Sequence, residues 1–269
     1  MRVLDGFQHA VRDVAVLTAR NFLHLAREPL RLSDVTIQPV LFTLLFVYVF
    51  GAGVVVSGGS YTDFAIAGLL AMNLTTSAIG TAVGLSNDLG SGVIDRFRTL
   101  PIWKPSVLVG RSLSDLLSAV LCTAIVIATG LLVGWRPDAS IASTLAGVGI
   151  FLLFGYAISW GCACLGLFSQ DAESAQGLGL VILFPLAFVS NALVPTRHMP
   201  GVLRAIANWN PVSAVTTAAR QLFGNPNPAA GIQAWPMRHA LLASLLWSVA
   251  LLVVFVPLAS ALYGRRTTD

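Results

Sequence analysis

Apolar residues come in long runs along this chain, separated by short polar breaks. A run of about 20 apolar residues is what a helix needs to cross the hydrocarbon core of a bilayer. The runs predict six spans, at roughly 35–56, 63–85, 107–134, 141–168, 175–194 and 238–262. Pro39 falls in the first turns of the first span, where proline costs little, and Pro185 lies inside the fifth. Ahead of the first run, Arg20, His24, Arg27 and Arg31 recur at helical spacing, with Leu4, Phe7, Val11, Val14, Phe22 and Leu25 roughly opposite. That pattern predicts an amphipathic helix in the headgroup plane, ended or bent at Pro29. The other reading is a solvated helix against a partner. The predicted fold is an all-α polytopic membrane protein. Residues 1–34 form the interfacial helix, 35–264 the six-helix transmembrane domain and 265–269 a tail. The charged segment before the first run is too long for the n-region of a signal peptide.

Composition supports the same picture. Hydrophobic residues make up 56% of the chain and charged residues 10%, where a soluble domain carries about 25% charged. Mean hydropathy is +0.79. The net charge of +4 reads as a positive-inside bias, with no nucleic-acid partner needed. With the N-terminus in the cytoplasm, eleven of the sixteen Lys and Arg residues are cytoplasmic, as are both termini. The expected location is the cell membrane. Cys122, Cys162 and Cys164 all lie in apolar stretches. The Cys162/Cys164 pair has no nearby histidine or third cysteine, so helix packing is expected and no metal.

Chemistry narrows the function. The only lysine, Lys104, lies between Trp103 and Pro105, so the chain has no P-loop and cannot hold ATP that way. No carboxylate sits in mid-span, as an ion-coupled carrier would want. Asp115 follows Arg111 by one helical turn, which reads as a structural ion pair. His9, His24, His198 and His239 form no HExxH motif, and GxSxG is absent, so no enzyme is expected. Asn73, Thr75, Thr76 and Ser77 make a polar patch in the second span, for interhelical packing or for lining a substrate path. Asn73, Thr76 and Asn191 are the candidates for that path.

The connection at 86–106 is the longest polar break in the first half. It sets Asp95, Arg96 and Arg98 beside Phe97, Leu100, Ile102 and Trp103, punctuated by Pro101 and Pro105. An element of that kind fits a groove on another protein. A solvated loop with its aromatic residues dipped into the interface is the alternative.

Two segments resemble the permease subunits of ABC type-2 exporters, nearest to the daunorubicin-resistance-like drug and lipid exporters. The first is NDLGSGVIDRFRTLPIWKPSVLVGR, residues 87–111, and the second is ALVPTRHMPGVLRAIANWNPVSAVTTAARQLFG, residues 192–224. The resemblance implies a permease paired with a second permease, identical or paralogous, over ATP-binding cassette subunits that hold ATP and Mg. This chain would bind no cofactor itself. It implies a coupling segment at about 88–105, with Asp95, Arg96, Phe97, Arg98, Leu100 and Pro101 in contact with the ATPase. Arg20, His24 and Arg27 would lie close to the ATPase too. An outer re-entrant helical segment at about 195–224 would close the exit, through Pro200, Asn210, Pro211 and Arg220. The implied cargo is an amphipathic drug-like molecule or a lipid. Polysaccharide or teichoic-acid precursor export, and an ion-coupled carrier, are the alternatives.

Overall fold

The structure is a computed structural model that describes residues 12, 14–21, 23, 27, 29–51, 53, 56, 59–91, 106–229 and 231–266. The described chain is mostly helical, with no strand among the described residues. Helix α1 is Pro29–Leu45, continued by a π-helical turn at Phe46–Phe50. Then come α2 Tyr61–Ser77, α3 Ile79–Gly90, α4 Ser106–Leu132 and α5 Ile141–Phe168. Helix α6 is Ala172–Phe188, α7 Gly201–Trp209, α8 Pro211–Phe223, α9 Trp235–Arg238 and α10 Ala240–Arg266.

Among the described residues, five stretches are long and apolar enough to cross a membrane: Leu32–Phe50, Tyr61–Gly90, Ser106–Leu132, Ile141–Phe168 and Ala240–Arg265. Helix α6 is apolar but has 17 residues, about 25 Å at 1.5 Å per residue, less than the ~30 Å core. Its predicted span ran to 194; the helix stops at Phe188. The described helix runs from Pro29, ahead of its apolar run. The second span is interrupted by one turn residue, Ala78, and continues to Gly90. The chain is a polytopic all-α membrane protein.

Helix α2 is the centre of the bundle. Phe64, Ala65, Ile66, Ala67, Leu69 and Ala71 are fully buried, and from Phe64 to Met72 α2 is apolar all round, as a helix segment enclosed by others must be. Helices α4, α5, α6 and α8 pack around α2 and its continuation α3. Small residues set the spacing. A side chain at Gly68 would collide with the Ala192 carbonyl, and one at Gly166 with the Ala82 carbonyl. Such residues let helices approach closely where lipid supplies no hydrophobic drive.

Helix starts carry the expected caps. Ser60 caps α2 through the Asp63 N–H at 3.1 Å, and Ser140 caps α5 through the Ser143 N–H at 3.3 Å. Asp171 caps α6, accepting from the Ser174 N–H at 2.7 Å, and that bond chiefly holds its carboxyl below the usual range.

Candidate functional site

The two ends of the bundle are built differently. One end holds an open polar cavity of about 850 Å³. Its walls come from Asp34 and Gln38 of α1, Asn73, Thr76 and Ser77 of α2, Thr81 and Asp88 of α3, and Arg111, Asp115 and Ser118 of α4. Tyr156 and Ser159 of α5 and Gln176 of α6 complete it, together with Arg20 and Asn21 ahead of α1.

Arg111 organises this end. Its guanidinium packs on Gly84, where a methyl group would collide with it. It donates to the Gly80 carbonyl at 3.0 Å and lies 3.3 Å from Asp115 and 3.7 Å from Asp88. Thr81 donates to the Asp115 carboxylate at 2.8 Å. Arg20 reaches Asp88 at 4.0 Å. The pair read as structural is therefore a junction among α3, α4 and the segment before α1. Thr18 in that segment touches the Gly110 carbonyl at 3.3 Å, and Leu17 is buried against α4 and its neighbours.

The hydroxyl patch of α2 behaves differently from an interhelical network. Thr75 donates to Ala71 O at 2.7 Å, Thr76 to Met72 O at 3.0 Å and Ser77 to Leu74 O at 3.2 Å. Asn73 donates to Leu69 O at 2.9 Å. These residues satisfy themselves on their own helix, and the helix turns just beyond them at Ala78. Asn73 and Thr76 still face the cavity.

No described residue of 189–239 lines the cavity. That segment closes the other end. After α6 the chain bends through Ser190 and Asn191, passes Pro200 at the start of α7, and enters α8 at Pro211. Asn210 joins the pieces. Its side-chain oxygen caps α8 through the Val212 N–H at 2.8 Å. Its amide donates to Leu186 O and Val189 O, both at 2.7 Å, which satisfies carbonyls that α6 leaves unpaired at its end. Ser213 accepts from the Asn191 N–H at 2.9 Å, and Asn191 donates to Thr217 at 2.7 Å.

Arg220 is the centre of this closure. It is fully buried and has no carboxylate partner among the described residues. Its guanidinium donates to Phe64 O through Nε at 3.1 Å and Nη2 at 3.0 Å. It also donates to Asn191 O at 3.0 Å and Ala192 O at 2.8 Å. One side chain thus ties α8 to α2 and to the bend after α6.

Helix α8 ends at Gly224, whose φ of +71° suits glycine and turns its N–H back to the last carbonyls. The Phe223 carbonyl then accepts from the N–H groups of Asp138 and Ala139, at 2.9 and 3.2 Å. Trp135 donates to the Asn225 side chain at 2.8 Å. The α4–α5 loop is thereby fastened to the end of α8.

The sequence-expected residues divide between these regions. Asn73, Thr76 and Arg20 are on the cavity wall. Asn191 sits in the closure with Asn210, Pro211 and Arg220. Pro200 is exposed, and Arg27 is helical and exposed. Asp95, Arg96, Phe97, Arg98, Leu100, Pro101 and His24 lie outside the described residues. Asp88 and Gly84 were not anticipated, and nothing in a single sequence marks an aspartate that meets an arginine from another helix. No group of metal-ligating side chains occurs among the described residues.

Comparison with known proteins gives the family. The family model described as ABC-2 type transporter matches residues 12–223. The daunorubicin resistance ABC transporter permease protein DrrB1 of Streptomyces coeruleorubidus is 34% identical, over 98% of this chain and 92% of that protein. A protein of Mycobacterium tuberculosis named for doxorubicin resistance, the ABC transporter permease DrrC, is 24% identical over 98% of this chain and 94% of its own. A protein of Porphyra purpurea named for transport permease function, ycf38, is 29% identical over 80% of this chain and 75% of its own. The chain, a polytopic helical bundle with a polar cavity at one end and short hydrogen-bonded helices at the other, belongs to the ABC-2 type transporter family as a membrane-spanning permease.

Proposed function

We propose that this permease exports an amphipathic drug-like molecule or a lipid from the cell, driven by ATP that a separate cassette subunit hydrolyses. One observation carries the proposal: a polar cavity open at one end of the bundle and a hydrogen-bonded closure at the other. That is the shape of an alternating-access path caught with a single end accessible. The names of the resistance permeases support the cargo class.

In this reading Asn73, Thr76 and the Arg111 junction meet cargo on the cytoplasmic side, in a cell membrane where both termini are cytoplasmic. Asn210, Pro211 and Arg220 form the outer gate, with Pro200 leading into it and Asn191 as the backbone the gate closes on. The segment 88–105 receives the ATPase through Asp95, Arg96, Phe97, Arg98, Leu100 and Pro101, and Arg20, His24 and Arg27 lie beside it. ATP and Mg stay on that partner, and a second permease, identical or paralogous, completes the path. The Arg111 junction lies at the cavity-side ends of α3 and α4, which flank 92–105, so motion of the ATPase reaches the cavity wall through Asp88 and Asp115.

The test is tagged purification followed by transport. The chain should bring an ATP-binding subunit with it, and inverted vesicles holding both should take up an amphipathic drug only with ATP. Gradient-driven uptake by the chain alone would overturn the proposal.

A further inference from the structure

Helix α7 is turned the wrong way round for a helix in water. Ala207 and Asn208 are its buried residues. Val202, Ile206 and Trp209 recur at i, i+4 and i+7 on the side away from them, and are 75, 53 and 57% exposed. Leu203 flanks this stripe at 44%. An apolar stripe facing away from the protein costs free energy unless something apolar covers it. Helix α9 packs beside α7 and adds an exposed Trp235 at 43%.

Within the segment that carries these helices, charge is of one sign, while Asp63 and Asp138 lie with Arg136 on the neighbouring α2 start and α4–α5 loop. Between 189 and 239 there are four arginines and no aspartate or glutamate. Arg220 is spent in the closure, while Arg204 on α7 and Arg238 on α9 are exposed. Apolar side chains and tryptophans combined with guanidinium groups match the boundary of a bilayer, tails on one side and phosphates on the other. A protein partner would have to supply both an apolar groove and acidic groups. A leaflet containing anionic phospholipid supplies both by its nature.

We propose that α7 and α9 form a binding surface for anionic phospholipid, with Val202, Ile206 and Trp209 among the acyl chains and Arg204 and Arg238 on the phosphates. The inference rests on the membrane-spanning fold alone. It depends neither on the cargo nor on which side of the membrane this end faces.

The experiment uses the purified full chain in lipid nanodiscs, where both faces meet lipid. Tryptophan emission is quenched with dibrominated phosphatidylglycerol or, at equal mole fraction, dibrominated phosphatidylcholine. The contribution of Trp209 is the difference between wild type and Trp209→Phe. The expected result is Trp209 quenching with an apparent preference for the anionic lipid, roughly fivefold for each exposed guanidinium. Arg204→Gln with Arg238→Gln should abolish the preference, and Arg204→Lys with Arg238→Lys should keep it. Size-exclusion profiles of the nanodiscs check that the variants are folded. Equal quenching by the two lipids overturns the proposal, and so does a preference that survives the double glutamine variant. Absence of Trp209 quenching by either lipid means that protein, such as a second copy of this chain, covers the stripe, and overturns it equally.

Discussion

Arg220 stands with its guanidinium carbon 3.7 Å from the centre of the Phe64 ring while donating two hydrogen bonds to the Phe64 carbonyl. A single residue of α2 thus offers both a π face and a backbone acceptor to the same cation. Arginine suits this site because its planar fork can stack and donate at once, which an ammonium cannot. The charge is balanced by oriented carbonyls and a ring, with no counter-ion among the described residues.

Replacing Arg220 should therefore be costly in a way that volume does not explain. Arg220→Met keeps length but leaves the carbonyls of Phe64, Asn191 and Ala192 without these donors. The expected loss is roughly 2–6 kcal/mol, from the Asn191 and Ala192 carbonyls left without donors at about 1–3 kcal/mol each. Arg220→Lys should recover only part of it. Thermal unfolding in detergent or nanodiscs checks this, and near-wild-type stability in Arg220→Met would remove Arg220 from the closure.

Asn210 separates two roles within one side chain. Aspartate is as good a helix cap as asparagine, so Asn210→Asp should preserve the bond from the Val212 N–H. It would also place an anion against Leu186 O and Val189 O, which now accept from the amide. Asn210→Asp should thus be at least as destabilising as Asn210→Ala, on the order of 1–3 kcal/mol. If capping alone mattered, the aspartate variant would match wild type in a melting experiment.

Glycines test the close approaches. Gly68→Ala drives a methyl group into the Ala192 carbonyl, a backbone atom that cannot rotate away, so a loss of about 1–3 kcal/mol is expected. Gly149 sits within α5 with open space around it, and Gly149→Ala should be neutral or stabilising by about 0.5–1 kcal/mol. Melting temperatures moving in the same direction for both would contradict the packing described.

How much of this was legible beforehand depends on which force decides each feature. Spans set by hydropathy were readable: α4 and α5 lie close to their predicted ranges. The end of α6 was not, because residues 189–194 continue the apolar run. What stops the helix is competition for its carbonyls from Asn210, which is far along the chain. Arg111 and Asp115 were visible as an i,i+4 pair, but Asp88 and Gly84 join them only through tertiary contact. Asn191 looked like a path residue because polar groups in apolar runs mark either cargo or closure, and sequence does not separate the two.

Gly84 gives a test of the junction that leaves the charges in place. Gly84→Val would push the Arg111 guanidinium off α3 and loosen its hold on Gly80 O, Asp88 and Asp115. ATP-driven export should fall severalfold while membrane insertion and ATPase association remain, because the helices themselves are untouched. Arg96→Glu should produce the complementary defect, with export and stimulated ATP hydrolysis lost together. Wild-type export in both variants would rule out transmission through this end of α3.

The bonds at the two ends of α8 set how the closure can open. Asn210 fastens its first turn to the end of α6, and the Phe223 carbonyl fastens its last turn to the α4–α5 loop. A beam supported at both ends cannot swing out as a flap does. It can roll about its own axis, and Arg220 and Thr217 are three residues apart on it, so one roll would withdraw both from their partners together. If this end is the gate proposed above, its opening is a single concerted step, with α6 and the α4–α5 loop as its bearings.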